Sequence, residues 1–327
     1  MAGAAQATEF QPSGNLGLTQ TFYGNSGSYK TATAHPSLVF NYQFAPKWSI
    51  DIEWDRTWNL HSYNGGRKQQ NNDFSQPDAT LNYSYGTLGD SKVDWSSSLK
   101  IETQSNFNNN SQAYVMAQTV FDFSRYLPSN DYLKSTQFAL APMYVYGKNI
   151  SGPSGKVHTA GLGLLTNWTL PANFSLTVNA YVFKDWYNGT FVISNNNTNY
   201  KNATYFMLSA WLEYSKILHQ FNAKTSLAFN FSGGFDPYIM SNRRASWDPF
   251  LAGNDMNQWL SPTVMEGNYK RTYDLFATPQ LSLTYNVNKN FSINAFVQVK
   301  YSNQVWGQTE KDWRFQPQGG FGLSYGF

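Results

Sequence analysis

Hydrophobic and polar positions alternate one by one along almost the whole chain. Leu16, Leu18 and Phe22 stand against Gly17, Thr19 and Thr21. Leu38, Phe40, Tyr42 and Phe44 stand against Ser37, Asn41 and Gln43, and Trp48, Ile50, Ile52 and Trp54 against Ser49, Asp51, Glu53 and Asp55. A period of two puts each set on one face of an extended strand. Similar segments begin near Pro77, Val93, Ser111, Tyr132, Val157, Phe174, Thr204, Phe221, Tyr269, Phe291 and Trp313. The pattern predicts about fourteen strands of roughly 9 to 16 residues, well above the usual strand length, and no helix.

Connections between these segments predict how they are joined. Short ones are expected at Ala45, Pro46 and Lys47 and at 86–91, 125–131, 170–173, 215–219 and 286–290. Longer connections rich in Asn, Gly and Ser intervene, at 24–34, 61–76, 186–199 and 232–268. Short turns at one end and long loops at the other describe an antiparallel, up-and-down, transmembrane β-barrel. The aromatic residues support it. Phe44 and Trp48, Tyr85 and Trp95, Phe123 and Tyr132, Trp168 and Phe174, Tyr214 and Phe221, and Tyr285 and Phe291 bracket the short turns. Rings at those positions form a girdle at a membrane interface. The chain ends in the same style, with Phe321, Leu323, Tyr325 and Phe327 on one face and Gly320, Gly322, Ser324 and Gly326 on the other.

Composition narrows the classes. The chain is 13% charged, 41% hydrophobic and 17% aromatic, so it is polar through uncharged side chains. Its 22 Tyr, 24 Phe and 11 Trp exclude a disordered chain. No apolar run reaches the roughly 18 to 20 residues of a membrane helix. With no cysteine there is neither a disulfide framework nor a thiolate metal site, and a net charge of +3 gives no reason to expect nucleic acid. Ala5, Gln6 and Ala7 have the small-x-small form of a signal-cleavage site without a charged or apolar region before them. The expectation is a chain whose export signal has been removed.

Terminal Phe327, preceded by alternating apolar positions, resembles the last strand of the outer-membrane porins of Gram-negative bacteria. The resemblance extends over nearly the whole chain. Within that family the chain is most similar to the monomeric, fourteen-stranded cyclodextrin porins, through its strand count and the segment that precedes its first strand. The resemblance implies that Leu323, Tyr325 and Phe327 are read by the outer-membrane assembly machinery. It also implies a monomer set among outer-membrane lipid and lipopolysaccharide. Residues 1–13 are expected to be a flexible segment and 14–327 the barrel. That segment is read either as a disordered tail or as a plug in which Glu9, Phe10, Gln11, Pro12 and Ser13 dip into the pore and gate it, since Pro12 lacks a ladder donor and Gly14 offers a hinge.

Catalytic chemistry has little to stand on. His35, His61, His158 and His219 fall at turns and strand ends without metal-ligand spacing, and a surface position is expected for each. No nucleophile elbow, zinc-protease, P-loop or dinucleotide motif is present. The expectation is no enzyme, no metal and no cofactor. Asn-x-Ser/Thr triplets at Asn188, Asn196 and Asn202 carry no meaning in a bacterial chain.

The face opposite the apolar one predicts the lumen. It carries Asp51, Glu53, Asp55, Asp78, Asp94, Lys100, Glu102, Asp122, Glu213, Lys224 and Lys300. Among these charges lie many small or neutral positions, including Thr80, Asn82, Ser96, Ser98, Gly161, Gly163, Asn179, Asn294, Gln316 and Gln318. Tyr114, Tyr181, Tyr205, Trp211 and Phe296 join them as inward rings. Amides and hydroxyls exchange hydrogen bonds with sugar hydroxyls, and an aromatic face stacks on the apolar face of a pyranose. The reading is a passive outer-membrane channel for oligosaccharides, with cyclodextrins or linear maltodextrins implied by the resemblance. A general porin for ions and small solutes, and an adhesin or receptor working through the loops, are the alternatives. Loop 232–268, with Arg243, Arg244, Trp247 and Trp259, suits any of the three.

Overall fold

The alternating segments become strands that close on themselves. In the computed structural model residues 10–25, 32–60, 73–106, 111–151, 155–189, 193–195, 198–242, 271–303 and 313–327 are described. The first strands are β1 (Ser13–Tyr23), β2 (Thr33–Ala45), β3 (Trp48–Asn59), β4 (Phe74–Thr87), β5 (Asp94–Asn106) and β6 (Ser111–Asp122). They are followed by β7 (Lys134–Asn149), β8 (Gly155–Leu170), β9 (Phe174–Gly189), β12 (Asn202–Asn222), β13 (Thr225–Ser241), β14 (Arg271–Asn286), β15 (Phe291–Ser302) and β16 (Arg314–Gly326). Each pairs antiparallel with its neighbours in the chain, and β1 pairs with β16, so fourteen strands make a closed barrel. Between β9 and β12 a separate hairpin is formed by β10 (Ile193–Asn195) and β11 (Thr198–Tyr200). Closure leaves no free sheet edge, which a barrel in lipid requires because no water is there to satisfy one.

Several boundaries differ from the sequence reading. Ser13 already pairs with Gln43, so β1 starts one residue before the expected barrel boundary. The turn expected at 215–219 lies instead at Ala223 and Lys224, since 215–219 stays paired with β13 through two register shifts. The turn chemistry explains the move: the Asn222 side chain accepts the Lys224 N–H at 2.9 Å, closing an Asx turn. The stretch from Ser232, expected as loop, continues as β13 to Ser241. A bulge between Phe235 and Tyr238 takes up Pro237, which has no donor for the ladder. The rest of that loop, with Arg243, Arg244, Trp247 and Trp259, lies outside the described residues, as does His61. Long loops do not all alternate with short turns either: the connections 107–110 and 150–154 are shorter than the turns 88–93 and 123–133 at the opposite rim.

The two faces are distinguished by burial. Along β7, Ala139, Ala141, Met143, Val145 and Gly147 are buried while Leu140, Pro142 and Tyr144 between them are exposed. The buried set therefore faces the interior, and the register carries this assignment round the barrel. Outside, large apolar residues lie open, to 63% at Val297 and 65% at Phe315. Rings gather at both ends of this outer surface. At the short-turn rim Trp48, Tyr83, Tyr85, Trp95 and Phe121 form a chain with successive centroids 4.5, 4.6, 3.7 and 5.9 Å apart. At the other rim Tyr301 packs on Trp313 and Phe315, and Tyr238 on Tyr273. Strands such as β1, with 11 residues, suffice to cross a bilayer when tilted, and β12, with 21, reaches well beyond one.

Candidate functional site: the lumen

The inner wall has three sectors of different chemistry. On β2 to β5 it is acidic. Asp51 accepts from Asn41 at 2.7 Å and from Asn82 at 2.6 Å. Lys100 bridges Asp78 at 3.2 Å and Glu102 at 3.0 Å, and Glu102 also accepts from Tyr114 at 2.5 Å and Gln76 at 2.6 Å. Glu102 and Tyr114 are buried, so this network is a fixed strut, whereas Glu53 is exposed to the lumen. A buried carboxylate needs this number of donors to offset its lost hydration.

Across the middle of β13 to β16 the wall is amide-rich. Asn230 donates to Gln280 at 2.9 Å, Gln280 to Gln298 at 2.6 Å, Gln298 to Gln318 at 2.5 Å, and Gln318 to Gln316 at 3.1 Å. Each amide is both donor and acceptor, so the four strands carry one continuous polar band. Phe296 lies beside it, its ring edge 2.8 Å from where a Cβ on Gly320 would stand.

The sector from β7 to β12 corrects the sequence reading. A small or neutral lining was expected, but Met143, Val157, Phe183, Tyr205 and Met207 form a buried apolar cluster, with Met116, Leu165 and Tyr181 packed against it. Phe183 is 1% and Met207 0% exposed. Tyr181, Phe183 and Tyr205 stand in sequence, with centroids 5.5 and 5.0 Å apart. Two glycines make room for them. Gly161 pairs with Phe183 and Gly163 with Tyr181 across β8 and β9, and the rings occupy the space that side chains would fill. Asp185, which the sequence reading passed over, anchors the cluster. It accepts from Thr159 at 2.6 Å, from Tyr187 at 2.7 Å and from Tyr205 at 3.5 Å. The sequence alone marks Gly161 and Gly163 only as small inward positions and Tyr181 only as an inward ring, and their pairing across β8 and β9 is what joins them.

Height matters as well as sector. Inward residues near the long loops, such as Thr21, Thr57, Gln104, Gln112, Val157 and Ser302, are buried. Toward the short turns Thr19, Glu213, Ser215 and Asn294 are exposed. The lumen is therefore open to water from the short-turn side and covered toward the other.

The remaining expected site residues are placed as follows. Trp211 and Glu213 sit inward on the lower half of β12, where Ser175 donates to Glu213 at 3.3 Å. Lys300 is inward on β15, its ammonium 5.5 Å from the centre of the Phe276 ring. Asp122 is occupied at the rim, accepting the N–H groups of Ser124 at 2.8 Å and Phe138 at 3.2 Å. Lys224 does not line the strands at all: it sits in the β12–β13 turn and donates to the Val287 carbonyl at 3.0 Å. Phe10, Gln11 and Pro12 precede β1 outside any strand, Ser13 belongs to it, and Glu9 lies outside the described residues. Leu323, Tyr325 and Phe327 all face outward, with Phe327 packed on Phe40 and Tyr42 at 6.2 and 5.9 Å.

His35 also departs from the expected surface position. It faces inward on β2, with Nδ1 2.7 Å from Thr57 Oγ1 and Nε2 3.2 Å from Asp55. Hydroxyl, imidazole and carboxylate in a row have the connectivity of a catalytic relay. Thr57 is only 5% exposed, however, so its hydroxyl offers no approach to a substrate. The set ties β2 to β3.

No family model matches this chain, and no curated protein matches it. Similar solved structures include a bacterial polysaccharide outer membrane secretin, at 8% identity over 96% of this chain and 98% of that one, with a TM-score of 0.38. The outer membrane channel DcaP of Acinetobacter baumannii is similar at 8% identity over 97% and 96% of the two chains, with a TM-score of 0.38. The NanC porin is similar at 9% identity over 95% and 98%, with a TM-score of 0.36. Superpositions this loose carry no argument about what passes through the barrel.

Proposed function

We propose that this protein is a passive diffusion channel of a Gram-negative outer membrane, with a preference for oligosaccharides. One observation carries the membrane part: the barrel is inside-out relative to a soluble one. Exposed leucines, valines and two tiers of rings cover its outside, while carboxylates, amides and hydroxyls line much of its inside. Such an exterior is unfavourable in water and suited to lipid flanked by headgroups. Fourteen strands enclose a wider space than the small barrels that side chains fill.

The amide band from Asn230 to Gln316 supports the sugar preference, together with Tyr181, Trp211 and Phe296 on the inner wall. Amides match the mixed donors and acceptors of a hydroxyl-rich solute, and rings match its apolar face. Cyclic and linear glucans are the first candidates. A planar-bilayer recording tests the reading. Resolvable blockades by maltohexaose or a cyclodextrin, longer than those of a polyether of similar size, are expected. Salt conduction without any such blockade would leave a general porin.

A further inference from the structure

Three lysines stand on the outward face near the long-loop rim of β7, β8 and β9. Lys148 and Lys156 are exposed and directly paired across β7 and β8. In that register their Cβ atoms are about 5 Å apart, and like charges so placed destabilise a sheet. Lys184 follows on β9, two alternating positions nearer the membrane, opposite Ala160. The outward residues of the three strands include these lysines and His158 and no Asp or Glu. Among the described residues none of the lysines has an ion-pair partner, and Lys184 reaches only the Asn202 amide oxygen at 3.5 Å. Beneath Lys148 and Lys156 lies the aromatic tier. Tyr146 packs on His158 at 5.1 Å, Tyr144 hydrogen-bonds His158 Nδ1 at 2.5 Å, and Trp186 is exposed beside them. Elsewhere at this rim the outward register positions hold the single cations Arg56 and Arg271, on separate strands, among residues such as Phe22, Trp58, Thr103, Ala113, Tyr301 and Phe315.

We infer that this rim is a binding site for the phosphate headgroup of a glycolipid of the outer leaflet, held by Lys148 and Lys156 with Lys184 as a third contact. A cross-strand lysine pair is unfavourable alone and becomes favourable when a multiply charged anion sits between the two ammonium groups. The position selects the kind of anion. The pair faces lipid and stands just above an aromatic tier, at the level where headgroup phosphates lie, and snorkelling lysines reach that level easily. Lys184, deeper in the same column, fits a headgroup whose charges extend along the surface. The site rests on the outer-membrane reading but not on any solute in the lumen.

Native mass spectrometry of the full-length protein in detergent tests it, with bis-phosphorylated lipid A as the probe and dephosphorylated lipid A as the control. The expected result is one lipid A retained by the wild type and about tenfold weaker retention by Lys148→Gln/Lys156→Gln. Lys148→Arg/Lys156→Arg should stay near wild type, and dephosphorylated lipid A should be held weakly by all three. Equal retention by wild type and the Gln variant, or equal retention of the two lipids, would overturn the proposal. So would full displacement of lipid A by an equal concentration of inorganic phosphate, which marks a site for any soluble anion. Heat-modifiable gel mobility reports folding of each variant, and the single Lys156→Gln carries the test if the double variant fails to fold. Bilayer conductance, measured in parallel, distinguishes loss of this site from failure of the channel reading.

Discussion

Phe183 fills the space above Gly161. The two residues pair across β8 and β9, and a Cβ added to the glycine would meet the ring at 2.5 Å. The neighbouring Gly163 stands in the same relation to Tyr181, at 3.0 Å. Glycine in a strand is costly by itself, and here a ring restores the missing contact while lying along the wall. Replacing Gly161 by Val should push Phe183 off the wall. We expect a loss of about 1 to 3 kcal/mol from overpacking. Single-channel current should fall as well, and Gly161→Val/Phe183→Ala should recover part of both.

The two faces of one strand should respond oppositely to charge. Val297 is 63% exposed on the lipid side of β15, and Asn294 points into the open half of the lumen. Val297→Arg should cost about 2 to 4 kcal/mol if it lies near the bilayer midplane, read from unfolding in urea with lipid vesicles. Asn294→Arg should leave stability close to wild type and alter conductance and ion preference. Equal behaviour of the two would reverse the assignment of inside and outside.

Carboxylates outnumber cations in the acidic sector, where Asp51, Glu53, Asp55, Asp78 and Glu102 face Lys100 and His35. This excess of carboxylates should raise the local concentration of cations and make the pore cation-selective. The reversal potential under a salt gradient measures this. Asp51→Asn/Glu53→Gln should move it toward zero, and anion preference in the wild type would contradict the sector's role.

Trp211 and Tyr181 are inward rings that remain partly open to the lumen, as is Phe296. Removing the ring of Trp211 or Tyr181 should shorten oligosaccharide blockades by about three- to tenfold, the equivalent of a stacking contact worth on the order of 1 kcal/mol. Open-channel conductance should change little. Unchanged blockade times in both variants would move the sugar contact to the amide band, where Gln298→Leu is the corresponding test.

Phe327 closes the barrel seam as well as ending the chain. Its carbonyl accepts the Gly14 N–H at 2.9 Å, and its own N–H donates to Gly14 at 3.1 Å, while its ring packs on Tyr325, Phe40 and Tyr42. Deleting Phe327 should lower the temperature at which the folded gel band is lost, even for protein refolded in detergent without any cellular machinery. Phe327→Tyr should behave as wild type in that assay. A defect seen only in cells would assign the residue to assembly alone.

The sequence by itself determined the strand number, the two faces and the outward terminal aromatics. The reason is local. A strand has a period of two, so each face can be read from neighbours along the chain without knowing its partners. The inward direction of most of the candidate site positions, from Asp51 to Phe296, followed from that parity. What the tertiary structure decided depends on residues far apart in sequence. The β12–β13 turn moved because pairing with β13 held residues 215–219 in the ladder, and an Asx turn at Asn222 then closed the hairpin. His35 became an inward strut because Asp55 and Thr57 arrived beside it on β3. The apolar sector stayed hidden for the same reason. Met143, Phe183 and Met207 look like any other inward positions until β7, β9 and β12 close round the barrel and bury them together. Parity tells which way a side chain points, and only closure of the sheet decides what it meets there.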